Sequence, residues 1–325
     1  MASWQAKVLN SILSLVARPS INAQGVRLSL ADIRLRLLAL DCRYLAWPKA
    51  LAVDEIPLTH SKLLHYRLND ENSLSQAEAP ALIPEAEQAS APEAKRRAPL
   101  ALFYVRGGGF CFKTPHAHAR FIAALCRELD AEAFVPDYRL APEHPFPAPF
   151  EDVLEAFGQF LARWQGPFVV MGDSAGGNLA MALLLEAKKR GLNTGQAAVL
   201  LSPALDLAIT GDSEQLLEAD DPFFTVESLL RLRGAYLRGA NPMDPRVSPL
   251  HGKLDGLPPV LLLAGTRELL LDDARRMAQR LAGAGVTVES RFIANMPHVF
   301  PLFELLPEAA LAKALIVNFI RRYSL

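Results

Sequence analysis

Phe168-Val169-Val170-Met171-Gly172-Asp173-Ser174-Ala175-Gly176-Gly177-Asn178-Leu179-Ala180 is the stretch on which the reading of this chain turns. It starts as a short apolar run bounded upstream by Gly166-Pro167, the pattern of a buried strand. From Ala175 to Lys189 it continues in Ala, Leu and Met, which favour helix. A serine between strand and helix, with glycines two before and two after it, occupies a turn too tight for side chains at the flanking positions. Such a turn pushes the hydroxyl out above a sheet, beside the free N–H groups and positive dipole end of the helix. G-x-S-x-G is a weak signal as a string of letters and a strong one between a strand and a helix. The bland alternative is a glycine-rich turn with an incidental serine.

Outward from this stretch the rhythm repeats. Upstream, Lys62–Leu68 reads as the first strand and Leu100–Val105 as an apolar, β-prone one. A helix follows around Ala117–Leu129, a short strand at Ala133–Pro136 and a helix at Asp152–Trp164. Downstream come strands at Ala197–Leu201 and Val260–Ala264, a helix at Asp272–Ala284, a strand at Val286–Ile293 and a closing helix at Pro307–Tyr323. This alternation predicts an α/β fold, a mostly parallel sheet covered by helices on both faces. Functional residues then belong at the carboxyl ends of the strands.

Three segments break the rhythm. Residues 3–17 carry Trp4, Val8, Ile12, Leu13, Leu15 and Val16 at helical spacing. Residues 27–46 do the same with Leu28, Leu30, Ile33, Leu35, Leu37, Leu38 and Leu40. These predict two amphipathic helices that pack on the body as a helical cap. Membrane contact is disfavoured, because the first helix has few basic residues on its polar face. Residues 206–245, with a helix at Val226–Leu237 and no strand before it, read as an insertion that joins the cap over the site. Residues 73–99, rich in Ala, Glu, Pro and Gln, read as a mobile surface loop without chemistry. The expected division is therefore cap helices 1–45, a first part of the catalytic domain 46–205, the cap insertion 206–245 and a second part 246–325.

The chain has 325 residues, a net charge of −1 and 51% apolar residues, enough for a large core and no footprint for nucleic acid. Its three cysteines, Cys42, Cys111 and Cys126, lack metal-ligand spacing and read as reduced thiols of a cytoplasmic protein. The first twenty residues lack the parts of a signal peptide, and no run approaches the roughly 18 apolar residues of a membrane span.

A serine hydroxyl is a poor nucleophile unless a base, an orienting carboxylate and N–H donors for the oxyanion surround it. On a sheet of this kind they follow the serine in the order acid, then histidine. Of the seven histidines only His251 and His298 lie downstream. His251 comes too early to be preceded by an acid at a strand end, whereas His298 follows the last strand. The acid belongs in the loop after Val260–Ala264, where Glu268, Asp272 and Asp273 compete. Glu268 is preferred, because Asp272 and Asp273 are explained as a cap or favourable charge at a helix start. Val105-Arg106-Gly107-Gly108-Gly109-Phe110 follows a strand and can turn backbone N–H groups toward the space above the serine. The N–H of Ala175 is the further donor expected there. A phosphate-cradling loop is the rival reading, but neither G-x-G-x-x-G nor a Walker lysine follows.

Arg106-Gly107-Gly108-Gly109-Phe110, Asp137-Tyr138-Arg139-Leu140-Ala141-Pro142-Glu143-His144-Pro145-Phe146-Pro147, Gly172-Asp173-Ser174-Ala175-Gly176-Gly177-Asn178 and Ser248-Pro249-Leu250 together resemble the hormone-sensitive-lipase-like (bacterial family IV) esterases of the α/β-hydrolase fold. The resemblance runs from about residue 100 to 302. It implies hydrolysis of short- to medium-chain carboxylic esters through an acyl-enzyme, a helical cap and no cofactor. It also implies an oxyanion hole of Gly108, Gly109 and Ala175, with Asp137 and His144 as loop-bracing residues. Two positions depart from the pattern. Arg106 stands where the family usually has His, and is read as bracing the glycine loop, with contact to an anionic substrate as the rival. Glu268 stands in place of the usual Asp.

The expectation is thus a serine carboxylesterase with catalytic Ser174, Glu268 and His298 and a small-molecule ester as its partner. An amidase, carbamate hydrolase or transacylase on the same triad is the enzymatic alternative. A ligand-binding protein on the same scaffold is the non-enzymatic one. The oligomeric state is left open, a homodimer included.

Overall fold

The apolar runs become the inner strands of one sheet. The computed structural model describes residues 2–17, 29–69, 99–211 and 220–324. Among them the strands are β1 (Leu51–Pro57), β2 (Lys62–Leu68), β3 (Leu100–Val105), β4 (Ala131–Pro136), β5 (Phe168–Asp173), β6 (Ala197–Leu201), β7 (Val260–Gly265) and β8 (Val288–Ile293). Their order is β1-β2-β4-β3-β5-β6-β7-β8. The pairs β1–β2 and β2–β4 are antiparallel and the rest parallel. The helices are α1 (Trp4–Ile12), α2 (Leu30–Tyr44), α3 (Pro115–Leu129), α4 (Ala148–Arg163), α5 (Ala175–Lys189), α6 (Val226–Leu237), α7 (Leu271–Gly283) and α8 (Pro307–Ser324).

Strands β3, β5, β6 and β7 are buried along their whole length. They show no polar alternation because both faces are covered. Within β3, Ala101, Phe103 and Val105 join a core with Phe157 and Phe160 of α4 and Leu179 to Leu184 of α5. Leu100, Leu102 and Tyr104 point the other way, into a core with Phe121 and Ile122 of α3 and Ile316 and Phe319 of α8. The period-two side-chain alternation of a strand thus feeds two cores, one per face.

Three expectations need correction. The strand at Lys62–Leu68 is not the first: Leu51–Pro57 precedes it, pairing Leu51 with Leu68 and Pro57 with Lys62. This edge strand carries Asp54-Glu55 and one fully buried residue, so it lacks the apolar run of its inner neighbours. Most of the apolar stripe of residues 3–17, all but Leu13 of its described members, is also not the packing face. Ala6, Asn10 and Leu13 are buried, while Trp4 is 71% and Leu15 77% exposed. Small Ala6 permits close approach, the Asn10 amide donates to Asn295 O, and Ser3 donates to Glu308 in α8. Lastly, Asp272 and Asp273 lie in the first turn of α7, where their charge is favourable, but neither caps it. Leu270 holds that position without a side-chain cap bond, and Asp273 instead accepts from the N–H groups of Leu205 and Asp206.

Helix α2 packs beside α3. Asp41, Cys42 and His116 bring potential metal-ligating atoms together there, but Asp41 accepts from the N–H groups of His116 and Ala117, serving the start of α3. The three cysteines are free, and burial pushes the thiols of Cys111 and Cys126 up to about 12. No helix among the described residues is long and apolar enough to cross a membrane. The expected surface loop at 73–99 lies outside the described residues but for Ala98–Pro99's last position, as do 212–219 of the insertion.

Beyond β6 the chain is gathered by Asp206, which accepts from Thr210, Arg276 and His251. Burial alone would raise this carboxyl; the bonds from Thr210, Arg276 and His251 outweigh it and pull it from 3.8 to about 2. A depressed carboxyl stabilises the fold above its unfolded value, and the contribution disappears as pH falls through its folded value. The melting temperature is therefore expected to fall between pH 4 and 2, and Asp206→Asn, less stable at pH 7, is expected to lose part of that dependence. Equal pH dependence in the variant would contradict this.

Candidate active site

Ser174 sits between β5 and α5 with φ 53° and ψ −122°. A non-glycine residue at positive φ is strained and persists only where its surroundings fix it. Here the Ser174 N–H donates to Leu201 O, and Ser174 O accepts from Asn178 and Ala204. The flanking glycines are required by close approach. A Cβ at Gly172 would fall on the carbonyl of Gly176, and one at Gly176 on the carbonyls of Val105 and Arg106. Helix α5 can therefore begin directly against the end of β3.

His298 lies on the loop after β8. Its Nε2 is 2.9 Å from Ser174 Oγ, and its Nδ1 is 3.0 Å from Glu268 Oε2, on the loop after β7. All three side chains are buried, Glu268 completely. Burial pushes the Glu268 carboxyl up, opposed by the His298 imidazole and the Ser202 hydroxyl. The order Ser–His–Glu places a proton acceptor on the hydroxyl and a carboxylate behind the acceptor, the arrangement nucleophilic catalysis needs. His251 does not join them; it bonds Asp206.

The glycine loop stands opposite. Gly108 and Gly109 have φ 118° and 57°. Among the described residues, the N–H groups of Gly108, Gly109 and Ala175 donate to no protein acceptor. Arg106 is buried and turned into the loop's own scaffold: it donates to Phe112 O and Tyr138 O at 3.0 and 3.2 Å. It also pairs with Asp137 at 3.3 Å and lies over the Tyr138 ring. His144 donates its N–H to Leu140 O within the neighbouring loop.

The roles of two residues escaped sequence reasoning. Asp173, beside the serine, accepts from Tyr104 Oη at 2.8 Å and Gly107 N at 2.9 Å, and lies 3.1 Å from His118 Nε2. Burial opposes its charge, yet His118, Tyr104 and Gly107 hold the carboxyl below its ordinary value. It thereby ties the serine turn to the glycine loop. Ser202, buried at the end of β6 with φ 46°, accepts from Val299 N and anchors the histidine loop. The only sequence signal for either was its place at a strand end.

A cavity of about 50 Å³ opens beside Ser174 and Ala175. Its apolar wall is Phe110, Leu207, Ile209, Leu229, Leu232 and Leu270, with Asp206, Arg233 and Asp273 among its polar residues. The wall draws on the insertion and on no described residue of 1–45. A larger groove of about 630 Å³, between α1 and the loops of Arg267 and Asn295, does not reach Ser174.

Comparison with known proteins decides the family. Residues 102–302 match the family model described as alpha/beta hydrolase fold. An esterase of Acinetobacter venetianus is 34% identical over 231 residues, 70% of this chain and 76% of that protein. An acetyl-hydrolase of Streptomyces hygroscopicus is 36% identical over 223 residues, 68% and 75% of the two chains. The crystal structure of an esterase from the bacterial hormone-sensitive lipase family superposes with a TM-score of 0.82 at 29% identity, covering 99% of both chains. This chain is a hormone-sensitive-lipase-like esterase. As a member of that family it is a serine carboxylic-ester hydrolase of the α/β-hydrolase fold, and its substrates are small-molecule esters. Within this esterase the strand ends β3, β5, β7 and β8 bear the glycine loop, Ser174, Glu268 and His298 in turn.

Proposed function

We propose that this esterase cleaves short-chain carboxylic esters through a Ser174–His298–Glu268 triad and an acyl-enzyme. The observation that carries the reading is the continuous relay of 2.9 and 3.0 Å from Ser174 Oγ through His298 to Glu268. His298 Nε2 takes the hydroxyl proton as Oγ attacks the ester carbonyl. Glu268 fixes the ring so that Nε2 is the accepting nitrogen and stabilises the imidazolium that forms. Gly108, Gly109 and Ala175 N–H groups receive the oxyanion. His298 then protonates the leaving alcohol and activates the water that frees the acid.

Acyl size follows from the cavity. The cavity beside Ser174 is small, about 50 Å³, and walled mainly by apolar side chains. That suits an acyl tail of a few carbons. In a panel of chromogenic esters, kcat/KM is expected to peak at short acyl chains; a steady rise beyond about ten carbons, measured below the micelle concentration, would refute it. Residues 1–45 and 206–245 are read as a common cap, the insertion supplying the cavity wall.

Arg106 is read as a brace of the oxyanion loop, supported by its bonds to Phe112 O, Tyr138 O and Asp137. Each oxyanion donor is worth about 10²–10³ in rate, so a loosened loop is measurable. Arg106→Ala is expected to lower kcat on neutral esters. A defect confined to binding of acidic esters would instead make Arg106 a substrate contact.

A further inference from the structure

The insertion does more than wall the cavity. Asp221, 1% exposed, is inserted between it and the acid loop. Its Oδ1 accepts from the N–H groups of Phe223 and Phe224 at 2.6 and 2.9 Å, closing a tight turn. Its Oδ2 accepts from Leu269 N at 2.9 Å, the residue after Glu268. One position earlier, Asp220 O accepts from Arg267 Nε at 3.0 Å, so both residues flanking Glu268 are held by 220–221. The turn sets Phe224 edge-on to His298, ring centres 5.2 Å apart, with Phe223 at 6.4 Å.

We propose that Asp221 is a positioning residue of the esterase: one carboxylate holds the Glu268 loop with one oxygen and, with the other, the turn that seats Phe224 against His298. The proposal rests on the triad described above. Its physical basis is that a buried carboxylate is tolerated only when its oxygens are hydrogen-bonded. Here its three donors are backbone N–H groups from segments that must be fixed for the triad to align. A misplacement of about 1 Å is worth about 100-fold in rate. The seated rings also cover one side of the imidazole, and aromatic edges shield it from water without offering it a proton.

The test is kcat and KM on a short chromogenic ester for wild type, Asp221→Asn, Asp221→Ala and Phe224→Leu, with melting temperatures and with Ser174→Ala alongside. Asn keeps an oxygen for Phe223 and Phe224 but turns its NH₂ on the Leu269 N–H, donor against donor. Asp221→Asn is expected to lose about 10- to 100-fold in kcat with little change in KM. Phe224→Leu is expected to lower kcat with little change in KM. Should Asp221→Ala fail to fold, the other two carry the test. A folded Asp221→Asn with normal kcat overturns the proposal while a dead Ser174→Ala leaves the triad standing. An active Ser174→Ala overturns both.

Discussion

Replacing Ser174 by alanine is expected to lower ester turnover by about 10⁴-fold or more with the fold intact. The substitution removes Oγ, the atom 2.9 Å from His298 Nε2. It leaves the backbone bonds that hold the strained turn: Ser174 N to Leu201 O, and Asn178 N and Ala204 N to Ser174 O. The strain at φ 53° is common to Ser and Ala, so the melting temperature should move little. Turnover of a short chromogenic ester and labelling by a fluorophosphonate give two independent readouts. A folded variant that turns over at a near-normal rate would sink the mechanism. Absence of labelling in the wild-type protein would speak for a binding protein on this scaffold.

Glu268→Ala is expected to cost about 10³-fold in kcat, less than the loss of the nucleophile, because the acid orients the base and does not itself make the bond. Glu268 is fully buried and faces His298 Nδ1 at 3.0 Å. Its neighbours in sequence act elsewhere. Asp273 holds two backbone N–H groups beyond β6. Removing it strands buried donors at about 1–3 kcal/mol, a loss of melting temperature more than of turnover. Asp272, partly exposed and 3.8 Å from Arg276, should matter least. Measuring kcat and melting temperature for all three variants separates the roles. A fully active Glu268→Ala beside a dead but folded Asp272→Ala would move the acid to Asp272.

What was legible in the sequence was local. The runs of β3, β5, β6 and β7 are continuous because both faces of the sheet are covered, so burial is written directly into composition. The serine turn was legible because two close backbone approaches exclude every residue but glycine. The partners of Asp173, Ser202 and Asp221 were not. Each carboxylate or hydroxyl bonds a backbone N–H brought in from a segment 48 to 97 residues away. A backbone N–H carries no residue signature. The stripe of α1 failed for another reason. Periodicity reveals that a helix has an apolar side, but small Ala6 and polar Asn10 decided which side could approach the body.

The sheet order also sets a length requirement. Ser174 leaves β5 and His298 leaves β8, with β6 and β7 between them. Three inter-strand spacings amount to about 14 Å, and the loop from Ala294 to Val299 must recross much of that width before the imidazole can meet the hydroxyl. Each residue contributes at most about 3.3–3.6 Å of reach. Asn295 and Val299 both adopt positive φ, and Val299 is moored to Ser202 at the end of β6, so the path of the loop is fixed along its length. A one-residue deletion in this loop would withdraw the base from the nucleophile while every catalytic side chain was still present. Loop length at 294–299 is thus under the same constraint as residue identity, and a homologous chain shortened there would keep the motifs and lose the reaction.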